Sequence, residues 1–207
     1  MKIILDFLFP IRCLGCGKNK THCCEKCFQK IPRFPKASTL TSLIAGAPFV
    51  ENSLLAKLIH YFKYDGIRDI GPRLTDLLPP LQFLPKSVLI PVPLHWRRKN
   101  IRGFNQSAVL AHEISKKTGA QVCDFLERHQ YTQPQIELPR QKRLTNLHGA
   151  FSIKNKFQQL DPAITYFLVD DVSTTGTTIA ECKKILFRHG AKDIRGLVIA
   201  RTEASTV

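Results

Sequence analysis

No apolar stretch of this 207-residue chain approaches the roughly 20 residues that a membrane-spanning helix requires. The first ten residues are apolar, but they include Lys2 and Asp6 and offer no small-residue cleavage site, so they do not resemble a signal peptide. Internal repeats and low-complexity tracts are also absent. We therefore expect a cytoplasmic protein that is not transmembrane, with peripheral attachment at the inner membrane as the alternative, and cysteines that are reduced or metal-bound.

Acidic residues are scarce. The chain has 16 Asp and Glu against 31 Lys and Arg, which gives a formal net charge of +15 and a sequence pI near 9.8. Such an excess predicts an anionic partner: nucleic acid, an anionic membrane surface or a strongly phosphorylated substrate. The length accommodates one α/β domain with a small appendage.

The most informative segment begins with the apolar run Phe167–Val169, which is typical of a buried parallel strand. Asp170 and Asp171 follow it, before a short turn and a helix-like stretch from about Thr177. Ligands of open α/β sheets bind beyond such strand ends, and a helix N-terminus attracts anions. The carboxylates suit the vicinal hydroxyls of a ribose, and the turn suits its phosphate, with donors and close backbone approach at Thr174, Thr175, Gly176, Thr177 and Thr178. The alternative interpretation is an ordinary polar turn with an N-capping threonine, but such turns rarely need two acids.

Seven cysteines include two C-x-x-C pairs, Cys13 with Cys16 and Cys24 with Cys27. Four thiolates at this spacing suit a structural, tetrahedral zinc ion, which would supply the folding energy that so short a segment lacks. Cys23 and His22 are alternative ligands, and a redox dithiol is the weaker hypothesis because no thioredoxin-like context surrounds it. The remaining two cysteines lie in apolar patterns and are expected in the core: Cys123 and Cys182.

Strand-like and helix-like segments alternate along the rest of the chain, which predicts a doubly wound, mainly parallel sheet. We expect helices over 51–64, 72–78, 105–117 and 177–189, and strands over 87–92, 120–126, 150–153 and 193–200. Pro32, Pro35 and Pro48 bracket a predicted linker. Residues 128–147 are predicted to form a long mobile loop. The predicted domains are a zinc knuckle over 1–36 and a larger domain over 37–207.

A basic cluster follows the proline-flanked strand end near residue 93. Arg97, Arg98, Lys99 and Arg102 could hold a pyrophosphate or a nucleic-acid backbone, although most runs of this kind are solvated faces. Lys18 and Lys20 in the cysteine-rich segment are further candidates for contact with DNA phosphates. Two aromatic residues beside arginines, Trp96 and Phe104, could stack bases, although such residues are more often part of a core.

The acid pair with the Thr174–Thr177 turn resembles the phosphoribosyl pyrophosphate (PRPP) loop of type I phosphoribosyltransferases. Together with the cysteine knuckle, the chain resembles the ComF family, the group of ComFC and GntX proteins. Further matching segments are Phe62-Lys63-Tyr64, Pro91-Val92-Pro93-Leu94, Arg102-Gly103-Phe104-Asn105-Gln106, the spaced residues Arg128, Thr132, Gln135, Leu138, Arg143 and Asn146, and Gly149-Ala150-Phe151.

The resemblance implies a type I phosphoribosyltransferase fold that binds PRPP with magnesium. It adds Val92, Pro93, Arg102 and Arg143 to the PRPP-binding residues, and it implies a role in DNA uptake with a ComFA-like translocase and a DprA-like strand-loading protein. Three hypotheses stand: a competence factor that binds PRPP and single-stranded DNA, a catalytic phosphoribosyltransferase of nucleotide metabolism, and a PRPP-sensing regulator. The catalytic residues and the acceptor substrate are not identified by the sequence.

Overall fold

The protein, seen in a computed structural model, is described over residues 10–34, 42–65, 67–81, 86–129, 149–154 and 159–202. Five parallel strands form the central sheet in the order β1-β7-β6-β2-β3. Their bounds are β1 Leu43–Pro48, β2 Ser87–Pro91, β3 Gln121–Val122, β6 Thr165–Ser173 and β7 Asp193–Arg201. β4 (Leu126–Arg128) and β5 (Phe151–Ile153) pair as a separate antiparallel ribbon. The expected fold class, α/β with a mainly parallel sheet, is confirmed.

The helices connect and cover these strands. Their bounds are α1 Glu25–Phe28, α2 Leu54–Tyr64, α3 Gly71–Thr75, α4 Trp96–Arg102, α5 Gln106–Thr118 and α6 Thr177–Arg188, with a 3-10 turn over Arg68–Ile70. Ser53 caps α2 by accepting a hydrogen bond from the Ala56 N–H, as a serine at that position should. None of the helices in the described residues has the length and apolar character needed to cross a bilayer.

β6 is the central strand and runs through the middle of the core, with Tyr166, Leu168 and Val169 almost completely buried. Burial on both faces explains why its sequence is a continuous apolar run rather than an alternating one. From β6 the chain passes through α6 to β7 on one side, whereas from β2 it passes through α5 to β3 on the other. The crevice between the carboxyl ends of β2 and β6 is therefore the topological switch point, where sheets of this kind bind ligands.

Several sequence-based predictions needed correction. The predicted linker contains β1, an edge strand paired in parallel with β7. The sequence did not predict this strand because its pairing partner lies more than a hundred positions away in the chain. The strand expected over 120–126 is two short strands, β3 and β4, that belong to different sheets. The helix expected over 72–78 is the shorter α3, and α4 was not predicted because none of its residues is buried and it lacks apolar periodicity. Nearly all of the predicted loop over 128–147 lies outside the described residues.

The cysteine-rich segment packs directly on the larger unit. Cys13, Cys27 and Phe28 share one buried apolar cluster with Leu55 of α2 and Leu74 of α3. Arg73 lies over the Phe28 ring and forms an ion pair with Glu25. The predicted boundary at 36/37 falls outside the described residues and stays a prediction.

Candidate functional site

The carboxyl ends of β2 and β6 lie side by side. Pro91 is opposite Val169 in the parallel ladder, and the Val92 N–H donates to the Val169 carbonyl at 2.9 Å. Val92 and Pro93 are buried directly beside the strand end that carries the two acids. The register of the sheet thus places the two segments of the predicted PRPP site, Val92-Pro93 and Asp170-Asp171, side by side.

The turn after β6 forms a small open pocket. Its lining includes Asp170, Thr174, Gly176, Thr177 and Thr178. Gly176 is the N-cap of α6 with a φ of 77°, a left-handed conformation that favours glycine, and the Thr177 N–H donates to Thr175 Oγ1 at 3.5 Å. Thr175 Oγ1 lies 2.8 Å from Thr177 Oγ1. The N-cap itself is thus a glycine and not the threonine of the alternative interpretation, and the first N–H groups of α6 adjoin a hydroxyl-lined pocket suited to an anion.

Asp170 is the acid inside this pocket. Its Oδ1 accepts a hydrogen bond from Ser107 Oγ at 2.9 Å and another from the Asp171 N–H at 2.9 Å. Burial and the adjacent Asp171 charge raise the pKa of Asp170 to about 7, although Lys63 and these two donors oppose the shift. The carboxyl group is therefore poised to change its protonation state near neutral pH.

Asp171 is buried and has its own cation. Lys63 Nζ, from the last turn of α2, lies 3.0 Å from Asp171 Oδ1, and the side chains are 18% and 9% exposed respectively. The Val172 N–H also donates to Oδ1. The ion pair thus sets Asp171 apart from Asp170, so that two adjacent carboxyl groups of similar sequence context have different electrostatic environments.

The segment after α4 connects the two strand ends. Asn105 Nδ2 donates to the Val92 carbonyl at 3.0 Å, and its Oδ1 accepts from the Ser107 N–H, which caps α5. Ser107 then reaches Asp170. Ser107 and Lys63 are two site residues that sequence reasoning did not assign. The sequence offered one signal for each. Lys63 lies within the family-like motif Phe62-Lys63-Tyr64, and Ser107 directly follows the motif Arg102-Gly103-Phe104-Asn105-Gln106.

The basic cluster lies on α4, which is exposed throughout except for the half-buried Arg98 and Arg102. His95, buried as its N-cap, accepts from the Arg97 N–H and contacts the His129 carbonyl. Lys99 is exposed on the same helix. Arg97, Arg98 and Lys99 thus lie together on one short helix that follows β2, whereas Lys18 and Lys20 lie on the knuckle.

Arg102 ends α4 and reaches α2. Its Nη2 donates to the Tyr64 hydroxyl at 3.0 Å, and its guanidinium lies 4.7 Å from the centre of the Tyr64 ring. Arg143, the other predicted arginine of the PRPP site, lies outside the described residues. Arg102 is not among the residues that line the hydroxyl-lined pocket, and it contacts Tyr64 on α2 instead.

The two aromatic candidates for base stacking have different environments. Phe104 is 6% exposed and packs edge-on against Phe62, so it is a core residue. Trp96 is 58% exposed at the start of α4, with Arg97 over its ring at 5.3 Å. The stacking hypothesis is therefore wrong for Phe104 and stays a prediction for Trp96.

The four cysteines of the two C-x-x-C pairs converge, with their sulfur atoms all within 4.8 Å of one another. Cys16 Sγ and Cys24 Sγ are 3.6 Å apart, near the roughly 3.8 Å that tetrahedral Zn–S bonds of about 2.3 Å impose. A Cβ on Gly15 would meet Cys27 Sγ at 2.9 Å, so glycine is required where the knuckle passes the cluster. Cys23 lies outside this group of four and its thiol faces the Cys24 carbonyl. The cluster could hold a metal ion such as zinc.

Two thiols of the cluster differ in acidity. Burial opposes ionisation of Cys13, but the N–H groups of Cys24, Gly15 and Cys16 outweigh it and lower its pKa to about 6. Contacts with the Cys16 and Cys24 thiols, with burial, raise the pKa of Cys27 to about 12. A divalent cation would stabilise all four thiolates. Lys18 and Lys20 are exposed on the same knuckle.

Comparison with known proteins gives close relatives along most of the chain. The DNA utilization protein YhgH of Escherichia coli (strain K12) is 33% identical over 204 residues, which cover 92% of this chain and 84% of that protein. Competence protein F of Haemophilus influenzae is 30% identical over 207 residues, which cover 93% and 85%. No protein-family model matches the chain.

Among solved structures, the glutamine PRPP amidotransferase of B. subtilis matches 66% of this chain and 26% of that chain, at 15% identity and a TM-score of 0.40.

Proposed function

The chain belongs to the ComF family, and from this premise we propose that it binds PRPP and handles incoming single-stranded DNA at the cytoplasmic side of the inner membrane during natural transformation. The relatives are a DNA utilization protein and a competence protein, so a role in competence is the function that their names support. The observation that carries the PRPP part is the acid pair beside the hydroxyl-lined turn at the switch point of the sheet.

In this proposal each group of the ligand has a partner. The N-terminus of α6 and the pocket-lining hydroxyls of Thr174, Thr177 and Thr178 bind the 5′-phosphate. Thr175, whose Oγ1 lies 2.8 Å from Thr177 Oγ1, adds a further hydroxyl. Asp170 and Asp171 accept hydrogen bonds from the ribose hydroxyls. Val92 and Pro93 border the pyrophosphate, with Arg102 and Arg143 as its cations, and Mg²⁺ accompanies it as a counterion.

The DNA part of the proposal rests on charge. The net charge of +15 exceeds what one small phosphorylated ligand needs. Arg97, Arg98 and Lys99 on α4 and Lys18 and Lys20 on the knuckle would bind phosphates with release of counterions, so binding should weaken as salt rises. A ComFA-like translocase and a DprA-like protein are the proposed partners, and zinc is the proposed ion of the knuckle.

Isothermal titration with PRPP and Mg²⁺ tests the central claim. Replacing Asp170 or Asp171 by Ala removes an acceptor for a ribose hydroxyl, and each loss should weaken binding about 10- to 150-fold. Asp161→Ala, at the amino end of β6, is the matched control and should bind normally. Ribose 5-phosphate should also compete better than 2-deoxyribose 5-phosphate. Unchanged PRPP affinity in a variant with both Asp170 and Asp171 replaced by Ala would contradict the assignment of these acids to the ribose.

The intact acid pair and threonine turn also favour a second candidate, a catalytic phosphoribosyltransferase that uses PRPP and Mg²⁺. Release of pyrophosphate from PRPP that depends on an added nitrogen nucleophile would support turnover. Tight binding of PRPP without release of pyrophosphate in the presence of any purine or pyrimidine base would support binding without catalysis.

A further inference from the structure

An exposed cluster of side chains, in which the His60 and Tyr64 rings are tilted by 40°, joins the ends of α2 and α4 beside the acid pair. The His60 and Tyr64 ring centres are 4.8 Å apart, and the Arg102 guanidinium lies 4.7 Å from the Tyr64 ring centre. We call His60, Tyr64 and Arg102 the stacking surface. Tyr64 keeps 51% of its surface exposed despite both neighbours, and the side chain of His60 is 64% exposed.

This surface does not serve the core. Phe62, on the same helix, is completely buried, whereas Tyr61 and Tyr64 face outward. Large aromatic groups held in place by an arginine and left open to solvent are the arrangement that proteins use for unpaired nucleobases, since every base has a flat face to stack. The neighbouring α4 carries four cations, Arg97, Arg98, Lys99 and Arg102, and no acidic residue.

We propose that the stacking surface binds the bases of single-stranded DNA while the cations of α4 bind the adjoining phosphates. The charge of the helix selects an anionic partner, and the aromatic faces select one with exposed bases, which duplex DNA lacks. This inference rests on the proposed function and assigns the DNA to a surface outside the phosphate-binding turn. Tyr64 follows directly after Lys63, which is paired with Asp171, so the two binding sites adjoin on one turn of α2.

Tyr64 carries the test, because Arg102 is also a proposed ligand of the pyrophosphate. Fluorescence anisotropy of a labelled oligothymidylate gives the affinity. Tyr64→Ala removes the ring and should weaken binding about 5- to 150-fold, the range for the loss of one base stack. Tyr64→Phe keeps the ring and loses only the hydroxyl that accepts from Arg102, so its affinity should stay within about 3-fold of the unmodified protein.

Phe187 offers a matched control. It is 58% exposed with Lys192 over its ring at 5.1 Å, but it lies in the last turn of α6, at the opposite end of that helix from the phosphate-binding turn. Phe187→Ala should bind the oligonucleotide normally. An abasic oligomer of the same length separates stacking from charge: it should bind more weakly than oligothymidylate, and Tyr64→Ala should bind it as well as the unmodified protein does.

The outcomes separate the two claims. If the unmodified protein binds no oligonucleotide at low salt, the proposed function fails in its DNA part and the stacking surface fails with it. If the protein binds DNA and Tyr64→Ala binds equally well, the surface is refuted while the proposed function stands. Loss of binding to anionic lipid vesicles in Tyr64→Ala, with DNA binding intact, would instead identify a membrane-facing surface.

Discussion

Replacing Asp170 by Asn should stabilise the protein, and increasingly so as the pH rises. The asparagine side chain would keep a carbonyl oxygen to accept from Ser107 and from the Asp171 N–H, so the substitution preserves both hydrogen bonds while removing the charge. The reason lies in the position of the carboxyl group, which is partly buried and adjacent to a second acid. Both conditions penalise the ionised form in the folded state only.

The magnitude follows from the pKa. The ordinary value is 3.8 and that of Asp170 is about 7. At about 1.4 kcal/mol for each pKa unit, ionisation costs the folded state at most about 4 kcal/mol relative to the unfolded chain. The stability due to this group is complete well below pH 3.8, where the carboxyl is protonated in both states. It is lost as the pH rises through 7, so the advantage of Asp170→Asn should grow from about 1.5 kcal/mol at pH 5 to about 4 kcal/mol at pH 8.

Urea denaturation of both proteins between pH 5 and pH 8 measures this difference, and the titration of groups remote from Asp170, including the knuckle thiols, cancels between them. Asp193→Asn is a control of opposite sign. Its hydrogen bonds from Arg195 and Thr165 lower the pKa of Asp193, so the variant should be less stable at pH 8 and the deficit should shrink toward acid pH. A free-energy difference for Asp170→Asn that is independent of pH would refute the reasoning.

Two further predictions concern the groups that flank the site. Lys63→Met should destabilise the folded protein by about 3 kcal/mol at pH 8, because it leaves the buried Asp171 charge without its cation, and Lys63→Arg should restore most of that loss in the same urea assay. Equal stability of Lys63→Met and the unmodified protein would show that the pair contributes nothing. Cys24→Ser should lower the zinc found by metal analysis well below one ion per chain, whereas Cys23→Ser should leave it unchanged, because Cys23 lies outside the sulfur cluster. Full zinc content in Cys24→Ser would mean that Cys23 or His22 is the fourth ligand.

The features that the sequence by itself determined are local ones. The strand, acid pair, turn and helix around Asp170 occupy one continuous segment, and their periodicity and turn chemistry are set by neighbouring residues. The two C-x-x-C pairs are likewise short-range, and their convergence follows from spacing that suits one ion.

Only the tertiary structure decided which distant residues complete the site. Lys63 contacts Asp171 and Ser107 contacts Asp170 because the fold brings α2 and α5 to the carboxyl end of β6. β1 pairs with β7 because the strand order makes them neighbours in the sheet. Phe104 is buried and Tyr64 exposed although both adjoin basic residues, since each is oriented by the packing of its own helix or turn against the core. Local periodicity carries no information about such contacts, which depend on the order and direction of strands far apart in the chain.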